Sequence, residues 1–596
     1  MKSKRARVPA ARKVARATTA QAPKAAAITR DERSTQTRVT VLIVAGLAVI
    51  SILVYLNSLG NGFVFDDHDL VIDNRLLRGI ANIPRVLAYT YRPIRDISYI
   101  FDFAIWRENP LGFHLTNVLI HTGNTVLVFF LLRRVTGERV TAALAALIFA
   151  VHPIQTDAVA YVSGRRDVLF ATFYIASFYS YLESKQRRSR GLFGLFVLLW
   201  VLSLMTKEMA ASLPLVVFVW NFCQLWRDRA GAWWRKLGSS AVRAVAVDKW
   251  LYILLAAAAG GYAFLMVFVR HASVRASGAQ FDYWGGSFYR STLTVLRVHA
   301  WYLKQLVLPT PIAQYFGAFQ ISTSIFDWRV LLSLIVIGSV VAAALYLLPR
   351  RPLISFGILS YFAMLVPVSQ LIPHHELLAD HYLYLPMMSF GLVVALGVDE
   401  VARRAPRLSK LAYAALAALL VAASMLTVRR NRDWKDEFSV WSTNYAAVPT
   451  SPRAAFNLGA EYLSRNPRKA EELFRRSLEI DPTYAPTYTA LAQLYLSQNR
   501  LAECEQLIAT GLALPDSRIQ SFITRSPQKF RSQLTTALAA ATGKRGDQRR
   551  GEELLAEAIN LYPANPDPYM LLAALYHTSN RTKEIEILTR SVGQNP

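Results

Sequence analysis

Residues 39–58 read VTVLIVAGLAVISILVYLNS, an apolar run without a charged side chain. About 20 apolar residues in a helix cross the hydrocarbon core of a bilayer, so this run predicts a transmembrane helix. Ten further apolar runs lie near residues 113–132, 138–153, 167–183, 191–206, 209–226, 249–269, 329–348, 353–372, 383–400 and 409–428. The sequence therefore predicts an all-α, polytopic membrane domain of about eleven spans over residues 39–430.

A twelfth apolar stretch, residues 291–308, contains Arg297, His299 and Lys304. Such side chains are costly at the centre of a bilayer. We therefore interpret this stretch as an interfacial or re-entrant helix.

The distribution of positive charge predicts the orientation. Residues 1–38 hold eleven Lys or Arg against two acids, which is typical of a disordered basic tail on the cytoplasmic side. Basic clusters also lie between the spans, at Arg133-Arg134, Lys185–Arg190, Arg227–Lys236, Arg350-Arg351 and Arg403–Lys410. Eleven spans place every one of these clusters in the cytoplasm, so the net charge of +27 is explained by orientation. It does not indicate nucleic acid as a partner.

The same arrangement places the unusual polar residues on the opposite, outer face. The outer segments would be residues 59–112, 154–166, 207–208, 270–328 and 373–382, together with the C-terminus. The first of them contains Phe63-Val64-Phe65-Asp66-Asp67-His68-Asp69, three carboxylates immediately behind two aromatic residues. This acidic loop is a candidate site at the membrane surface. The alternative is a helix cap or a solvated turn.

From residue 431 the apolar runs stop and a repeat begins. Three pairs of leucine and a small residue are each followed by a tyrosine, and a proline comes twenty residues after each tyrosine. The pairs are Leu458-Gly459, Leu491-Ala492 and Leu572-Ala573; the tyrosines are Tyr462, Tyr495 and Tyr576; the prolines are Pro482, Pro515 and Pro596. This spacing is typical of tetratricopeptide (TPR) helix pairs. The sequence predicts a TPR α-solenoid over residues 431–596, with a degenerate repeat ending at Pro563.

Several short motifs in the membrane domain occur in a characteristic order. They are Phe65-Asp66-Asp67, Tyr91-Arg92-Pro93, His114-Leu115-Thr116-Asn117, the block from His152-Pro153 to Asp167, Lys207-Glu208, and Tyr382-Leu383-Tyr384-Leu385-Pro386. With these motifs the chain resembles a bacterial relative of the transmembrane and TPR-containing (TMTC-like) O-mannosyltransferases, which are GT-C glycosyltransferases. One departure is His381, because the family usually has an arginine before the Tyr-x-Tyr-x-Pro block.

The resemblance implies a membrane glycosyltransferase acting on the extracytoplasmic face. Such enzymes move a sugar, here expected to be mannose or another hexose, from a polyprenyl-phosphate donor to an acceptor hydroxyl such as Ser or Thr of a protein. The match to the family selects Asp66 as general base, with Asp67 as runner-up, since adjacent side chains of an extended loop point to opposite sides. Glu208 is a second acidic candidate. The candidates for binding the donor phosphate are Arg165, Lys207, Arg92 and His381.

Each assignment has a simpler alternative. Arg165 and Lys207 could anchor helices at the membrane edge, Arg92 could pair with Asp96, and Glu208 could stabilise a helix N-terminus. His381 is only partly charged near neutral pH if unperturbed. No cofactor is firmly implied, and a divalent metal held by residues such as His68, His374, His375 and Glu376 is an open alternative.

A different class of function is also open, a TPR-bearing membrane scaffold that assembles envelope proteins without catalysis. Anchoring needs one span rather than eleven and needs no acidic outer turns. The expected partners are the lipid-linked donor, membrane lipid, and a protein or peptide acceptor held by the repeats. The expected location is the cytoplasmic (inner) membrane of a bacterium, with the TPR domain outside the cytoplasm.

Overall fold

A computed structural model describes residues 30–227, 233–249, 251–257, 260–261, 283–310, 319–373, 376–516, 519, 526–577 and 581–594. Within these ranges the secondary structure consists of helices and turns, without a β-strand. Residues 47–596 form one compact unit, and residues up to Gly46 form another. The predicted all-α class is confirmed.

Residues 251–257 are helical, and fifteen further α-helices precede residue 432 in the described ranges. They are α1 (Arg30–Tyr55), α2 (Ile83–Tyr89), α3 (Pro93–Trp106), α4 (Pro110–Thr136), α5 (Arg139–Val151), α6 (Thr156–Val159), α7 (Arg165–Arg187), α8 (Arg190–Leu204), α9 (Leu213–Arg227), α10 (Trp233–Val247), α11 (Phe288–Val307), α12 (Trp328–Leu347), α13 (Pro352–Leu365), α14 (Met387–Arg404) and α15 (Pro406–Asn431). The first helix begins at Arg30, within the segment that we expected to be a disordered tail.

Five helices in the described ranges are long and apolar enough to cross a membrane. They are Ser34–Gly60, Pro110–Thr136, Glu208–Trp226, Trp328–Leu347 and Pro406–Trp434. One bent pair, Arg139–Val151 with Pro153–Val159, raises the number to six if it is one broken span. The presence of several helices suited to crossing a membrane is thus confirmed. The number of eleven spans stays a prediction. The 291–308 stretch, now α11, is not among these helices.

The bend of 52° in that pair lies at His152-Pro153. Proline lacks the N–H that would continue the helix, and the His152 side chain caps the new turn by accepting from the Ile154 N–H. The chain is thereby redirected into α6, which carries Asp157. A helix break at this point delivers polar side chains to the end of the bundle.

Nine helices follow residue 432 in the described ranges. They are α16 (Glu437–Ala447), α17 (Pro452–Tyr462), α18 (Pro467–Ile480), α19 (Ala485–Ser497), α20 (Leu501–Leu512), α21 (Pro527–Lys544), α22 (Gln548–Leu561), α23 (Asp567–Tyr576) and α24 (Arg581–Gln594). The pair α21 and α22 occupies the place of the degenerate repeat. The repeat motif requires a small residue at Gly459, because a Cβ there would lie 2.9 Å from the ring of Phe474.

The TPR helices pack directly on the acidic loop that follows the first apolar helix. Val64 of that loop and Tyr161 share one hydrophobic cluster with Trp441 of α16, Leu458 of α17 and Leu473 of α18. Burial of this apolar surface fixes the start of the solenoid to the membrane domain. The backbone adds a hydrogen bond of 2.9 Å from the Gly62 N–H to the Lys435 carbonyl.

Candidate active site

The loops that carry the predicted site residues come together at one end of the helical domain. The acidic loop turns sharply at Phe65, whose φ of 55° lies in a region that bulky residues rarely adopt. Its backbone N–H donates to the Glu437 carboxylate. The next N–H, of Asp66, donates to the Tyr161 hydroxyl over 3.2 Å. The TPR domain and the 154–166 segment thus hold this turn from both sides.

Asp67 is fully buried and serves the architecture of the loop. Its carboxylate accepts hydrogen bonds from the Val64 N–H (3.0 Å) and from the Ser163 N–H (2.8 Å) and hydroxyl (2.6 Å). Asp67 has right-handed helical backbone angles, so the loop forms a turn here rather than the extended loop that we expected.

Asp66 has a different environment, because its partly buried side chain lines a cavity. Burial raises the pKa of Asp66. Arg166 and Arg453 lower it, whereas Glu376 and Asp69 raise it again. A carboxylate with a raised pKa beside a cavity is a suitable proton acceptor.

Arg165 lies in the interior, and its side chain has no exposed surface. The guanidinium donates to the Asp102 carboxylate (2.6 Å), the Phe113 carbonyl (3.0 Å), the Ser98 hydroxyl (3.3 Å) and the Asn117 side chain. These bonds tie α7 to α3 and α4. The structure therefore places Arg165 among structural partners rather than beside Asp66.

The adjacent Arg166 occupies the position that we expected for Arg165. It interacts electrostatically with Asp66, Glu376 and Asp167, and its Nε lies 3.4 Å from the Asp167 carboxylate. Successive residues of a helix point about 100° apart, so only one of the two arginines can face the site. From the sequence, either arginine of the Arg165-Arg166 pair could have faced the site. The rotational phase of α7 decides that it is Arg166.

Lys207 belongs to the cluster and is also deeply buried. Its ammonium donates to the Asp167 carboxylate and lies 5.0 Å from the ring centroid of Tyr382. Burial lowers the pKa of Lys207, although Asp167 raises it in part. In this position the lysine organises Asp167 and α7.

His381 lies between carboxylates. Its Nδ1 is 3.2 Å from Asp157, and its Nε2 is 3.5 Å from Glu376. Burial and Lys207 lower the pKa of His381, but Asp167, Asp157 and Glu376 raise it to about 9. A pKa of about 9 favours the cationic imidazole at neutral pH, whereas we expected a histidine that is only partly charged.

Arg92 and Glu208 face each other across the cluster. One guanidinium nitrogen of Arg92 lies 3.0 Å from each Glu208 oxygen, and the two side chains are 9% and 21% exposed. The Tyr91 hydroxyl also donates to Glu208, at 3.4 Å. Our alternative pairing of Arg92 with Asp96 is not what the structure contains, since Asp96 binds Arg95 at 2.6 Å.

The described residues contain no group of three or more His, Cys, Asp or Glu side chains placed to hold a metal ion. His374 and His375 lie outside the described residues. Glu376 instead accepts from the Tyr382 hydroxyl at 2.8 Å. The alternative of a divalent metal stays a prediction.

The fold and the site define a class: a helical membrane protein whose loops bring acids and cations together next to a TPR domain. Residues 462–525 match the tetratricopeptide repeat model, which confirms that a TPR is present; the bounds 431–596 of the whole solenoid stay a prediction. The chain is also similar to several curated proteins.

The chain is 23% identical over 462 residues to Protein O-mannosyl-transferase F38B6.6 of Caenorhabditis elegans, covering 74% of this chain and 62% of that protein. It is also 23% identical over 576 residues to Protein O-mannosyl-transferase TMTC3 of Mus musculus, covering 88% and 61%. These relatives confirm the resemblance to the TMTC proteins. The chain spans about three fifths of their length.

Two solved membrane proteins are more distantly similar. The oligosaccharyltransferase of Archaeoglobus fulgidus superposes with a TM-score of 0.38 at 13% identity, covering 72% of this chain and 58% of that one. ArnT of Cupriavidus metallidurans, solved with undecaprenyl phosphate, superposes with a TM-score of 0.34 at 15% identity, covering 74% and 76%.

Proposed function

We propose that this chain is a membrane glycosyltransferase that transfers a sugar from a polyprenyl-phosphate donor to a serine or threonine hydroxyl of a protein. One observation carries the proposal: Asp66 lines a cavity between the acidic loop and the TPR domain, and it interacts electrostatically with the cation Arg166. The curated relatives are named protein O-mannosyl-transferases, so mannose is the first sugar to test.

In the proposed reaction Asp66 takes the proton of the acceptor hydroxyl. The hydroxyl oxygen forms a bond to the anomeric carbon, and the bond from that carbon to the phosphate oxygen breaks. Its electron pair stays on the polyprenyl phosphate, which leaves with an additional negative charge. A nearby cation stabilises this charge as it develops.

Arg166 and Arg92 are the proposed phosphate ligands. Both guanidinium groups already lie against carboxylates, Arg166 against Asp167 and Arg92 against Glu208, and a donor phosphate would share or replace these partners. Arginine binds phosphate by charge-assisted hydrogen bonds. Lys207 and His381 are positioning residues in this account, because they hold Asp167, Asp157 and Glu376 in place.

The packing of the TPR domain supports the proposed topology. The acidic loop follows the first span, and the TPR domain follows the last, yet Val64 and Leu458 share one hydrophobic cluster. Two segments in contact lie on the same side of a membrane, so an even number of crossings separates them. Eleven spans in total satisfy this condition and twelve do not. With the basic tail inside, loop and repeats lie outside the cytoplasm.

The test uses the full-length protein in lipid nanodiscs with radiolabelled mannosyl-phosphoryl-polyprenol and a serine- and threonine-rich protein. We expect label in the protein and stoichiometric release of polyprenyl phosphate. Release without label in any protein would assign a different acceptor. If neither label nor release occurs, the scaffold alternative is favoured.

A further inference from the structure

The cavity beside Asp66 extends from the acidic loop to the inner surface of the TPR domain. Its volume is about 850 Å³, near the upper end of the roughly 300–1,000 Å³ of ligand pockets. One wall is the acidic loop, a second is formed by α16 and α17, and a third by the beginning of α21. Neither the membrane domain nor the repeats could form it alone.

The walls carry more negative than positive charge. Six charged side chains line the cavity: Asp66, Asp69, Glu437, Glu461, Arg453 and Lys529. Four carboxylates against two cations leave a net charge of −2. A second phosphorylated ligand is therefore disfavoured here, because the walls would repel it.

Two of these charged side chains, Arg453 and Glu437, interact with aromatic residues of the cavity wall. Arg453 is buried, and its guanidinium carbon lies 5.1 Å from the ring centroid of Phe65 and 5.9 Å from that of Trp441. Glu437 accepts from the Phe65 N–H and from the indole N–H of Trp441. These residues build an aromatic and charged frame that fixes the loop to α16.

The wall formed by α16 and α17 carries a second carboxylate, Glu461, which is not part of this frame. It is partly buried on α17, close to the like charges of Glu437 and Asp436 and to the positive charge of Arg465. Asp69 is exposed on the opposite, membrane-domain wall. A cation entering between the two walls meets a carboxylate on each side, and both attract it.

We infer that this cavity holds a segment of the acceptor polypeptide that carries a lysine or arginine beside the accepting serine or threonine. The basic side chain lies against Glu461 and Asp69, and the hydroxyl reaches Asp66 in the same cavity. This inference rests on the proposed function, because that function supplies the reaction in which the hydroxyl takes part. Recognition of the basic residue is a binding property and can be measured without transfer.

The experiment measures binding of fluorescent peptides to the full-length protein in nanodiscs by anisotropy. The peptides share one sequence around a serine and differ only in a neighbouring lysine, glutamine or glutamate. We expect the lysine peptide to bind about tenfold more tightly than the glutamate peptide, with the difference shrinking at high salt. Glu461→Lys reverses the order.

Glu472→Lys is the matched control, because Glu472 is a carboxylate of the same TPR repeat, 66% exposed and paired with Lys469, and does not line the cavity. It should leave the order of the peptides unchanged. Equal binding of the three peptides, an absence of binding, or an equal effect of both variants would overturn the inference. Transfer to protein without any charge preference would overturn the inference and leave the proposed function standing.

Discussion

The Asp67 carboxylate accepts two hydrogen bonds from Ser163, 2.8 Å from its N–H and 2.6 Å from its hydroxyl. This contact joins the acidic loop to the segment that leads into α7. It also separates the roles of two adjacent acids, since the buried Asp67 stabilises the turn and Asp66 faces the cavity.

Asp67→Asn should therefore destabilise the protein. The new amide keeps one acceptor oxygen but directs N–H donors at the Val64 or Ser163 donors, leaving buried groups unsatisfied at a cost of about 1–3 kcal/mol. Thermal unfolding in nanodiscs should show a lower midpoint. Asp73→Asn is the control, because Asp73 is exposed in the same segment; equal midpoints of the two variants would contradict the structural role.

The two adjacent arginines should respond differently to substitution. Arg165→Gln leaves the buried Asp102 carboxylate without its 2.6 Å partner, and breaking a buried pair costs about 3–5 kcal/mol, so protein yield and stability should fall. Arg166→Gln should fold and raise the KM for the lipid donor about tenfold or more, as expected for a lost charge-assisted bond.

Arg187→Gln is the matched control for both arginine variants. Arg187 is on the same helix, and its side chain is 69% exposed. This variant should match the wild type in yield and in donor KM. An unchanged donor KM for Arg166→Gln would remove Arg166 from the phosphate site.

The pH dependence of activity should report on His381. Its pKa is raised to about 9, so the cation and the ion pairs that it forms are present below that pH and are lost as the pH rises through it. The kcat/KM for donor should fall on the alkaline side near this value. His381→Arg should shift this limit upward, and His381→Gln should be weak at every pH. An unshifted limit in His381→Arg would assign the titration to another group.

The docking of the repeats can be tested at Trp441. Its ring is buried and meets the Phe65 ring edge-on at 5.6 Å, and removal of a buried tryptophan costs about 3–5 kcal/mol. Trp441→Ala should make the TPR region sensitive to proteolysis and should also slow donor hydrolysis, because the acidic loop loses its support.

Phe530→Ala is the comparison for Trp441→Ala. Phe530 is fully buried in the core of the repeats and does not belong to the cluster that Val64 of the acidic loop forms with Trp441. It should reduce transfer to protein and leave hydrolysis of the donor near the wild-type rate. Equal loss of hydrolysis in both variants would indicate a general folding defect rather than a specific support of the loop.

Much of this arrangement could be predicted from sequence because it follows from one-dimensional patterns. The charges between apolar runs grouped the Asp66, Lys207 and His381 segments on one face, and the spacing of Gly459 and Tyr462 gave the repeat. What could not be predicted depends on three-dimensional packing. The phase of α7 decides between Arg165 and Arg166, and a turn rather than an extended loop buries Asp67.

The contact between the repeats and the acidic loop could not be predicted from the sequence either. Phe65 and Glu437 are 372 positions apart, and neither residue type indicates the other as its partner. The charge of His381 belongs to the same category, since its pKa depends on the carboxylates Asp157, Asp167 and Glu376 from three different segments. The residue types near the site could be predicted from sequence, whereas their contacts depend on how the segments pack.

The most direct test of the account is the rate of sugar transfer by Asp66→Asn in nanodiscs, measured beside Asp73→Asn at equal protein level and equal thermal midpoint. Loss of the general base should lower the rate at least about 100-fold, with donor KM close to that of the wild type, while Asp73→Asn transfers normally. Transfer by Asp66→Asn near the wild-type rate would contradict the assignment of Asp66 as the base.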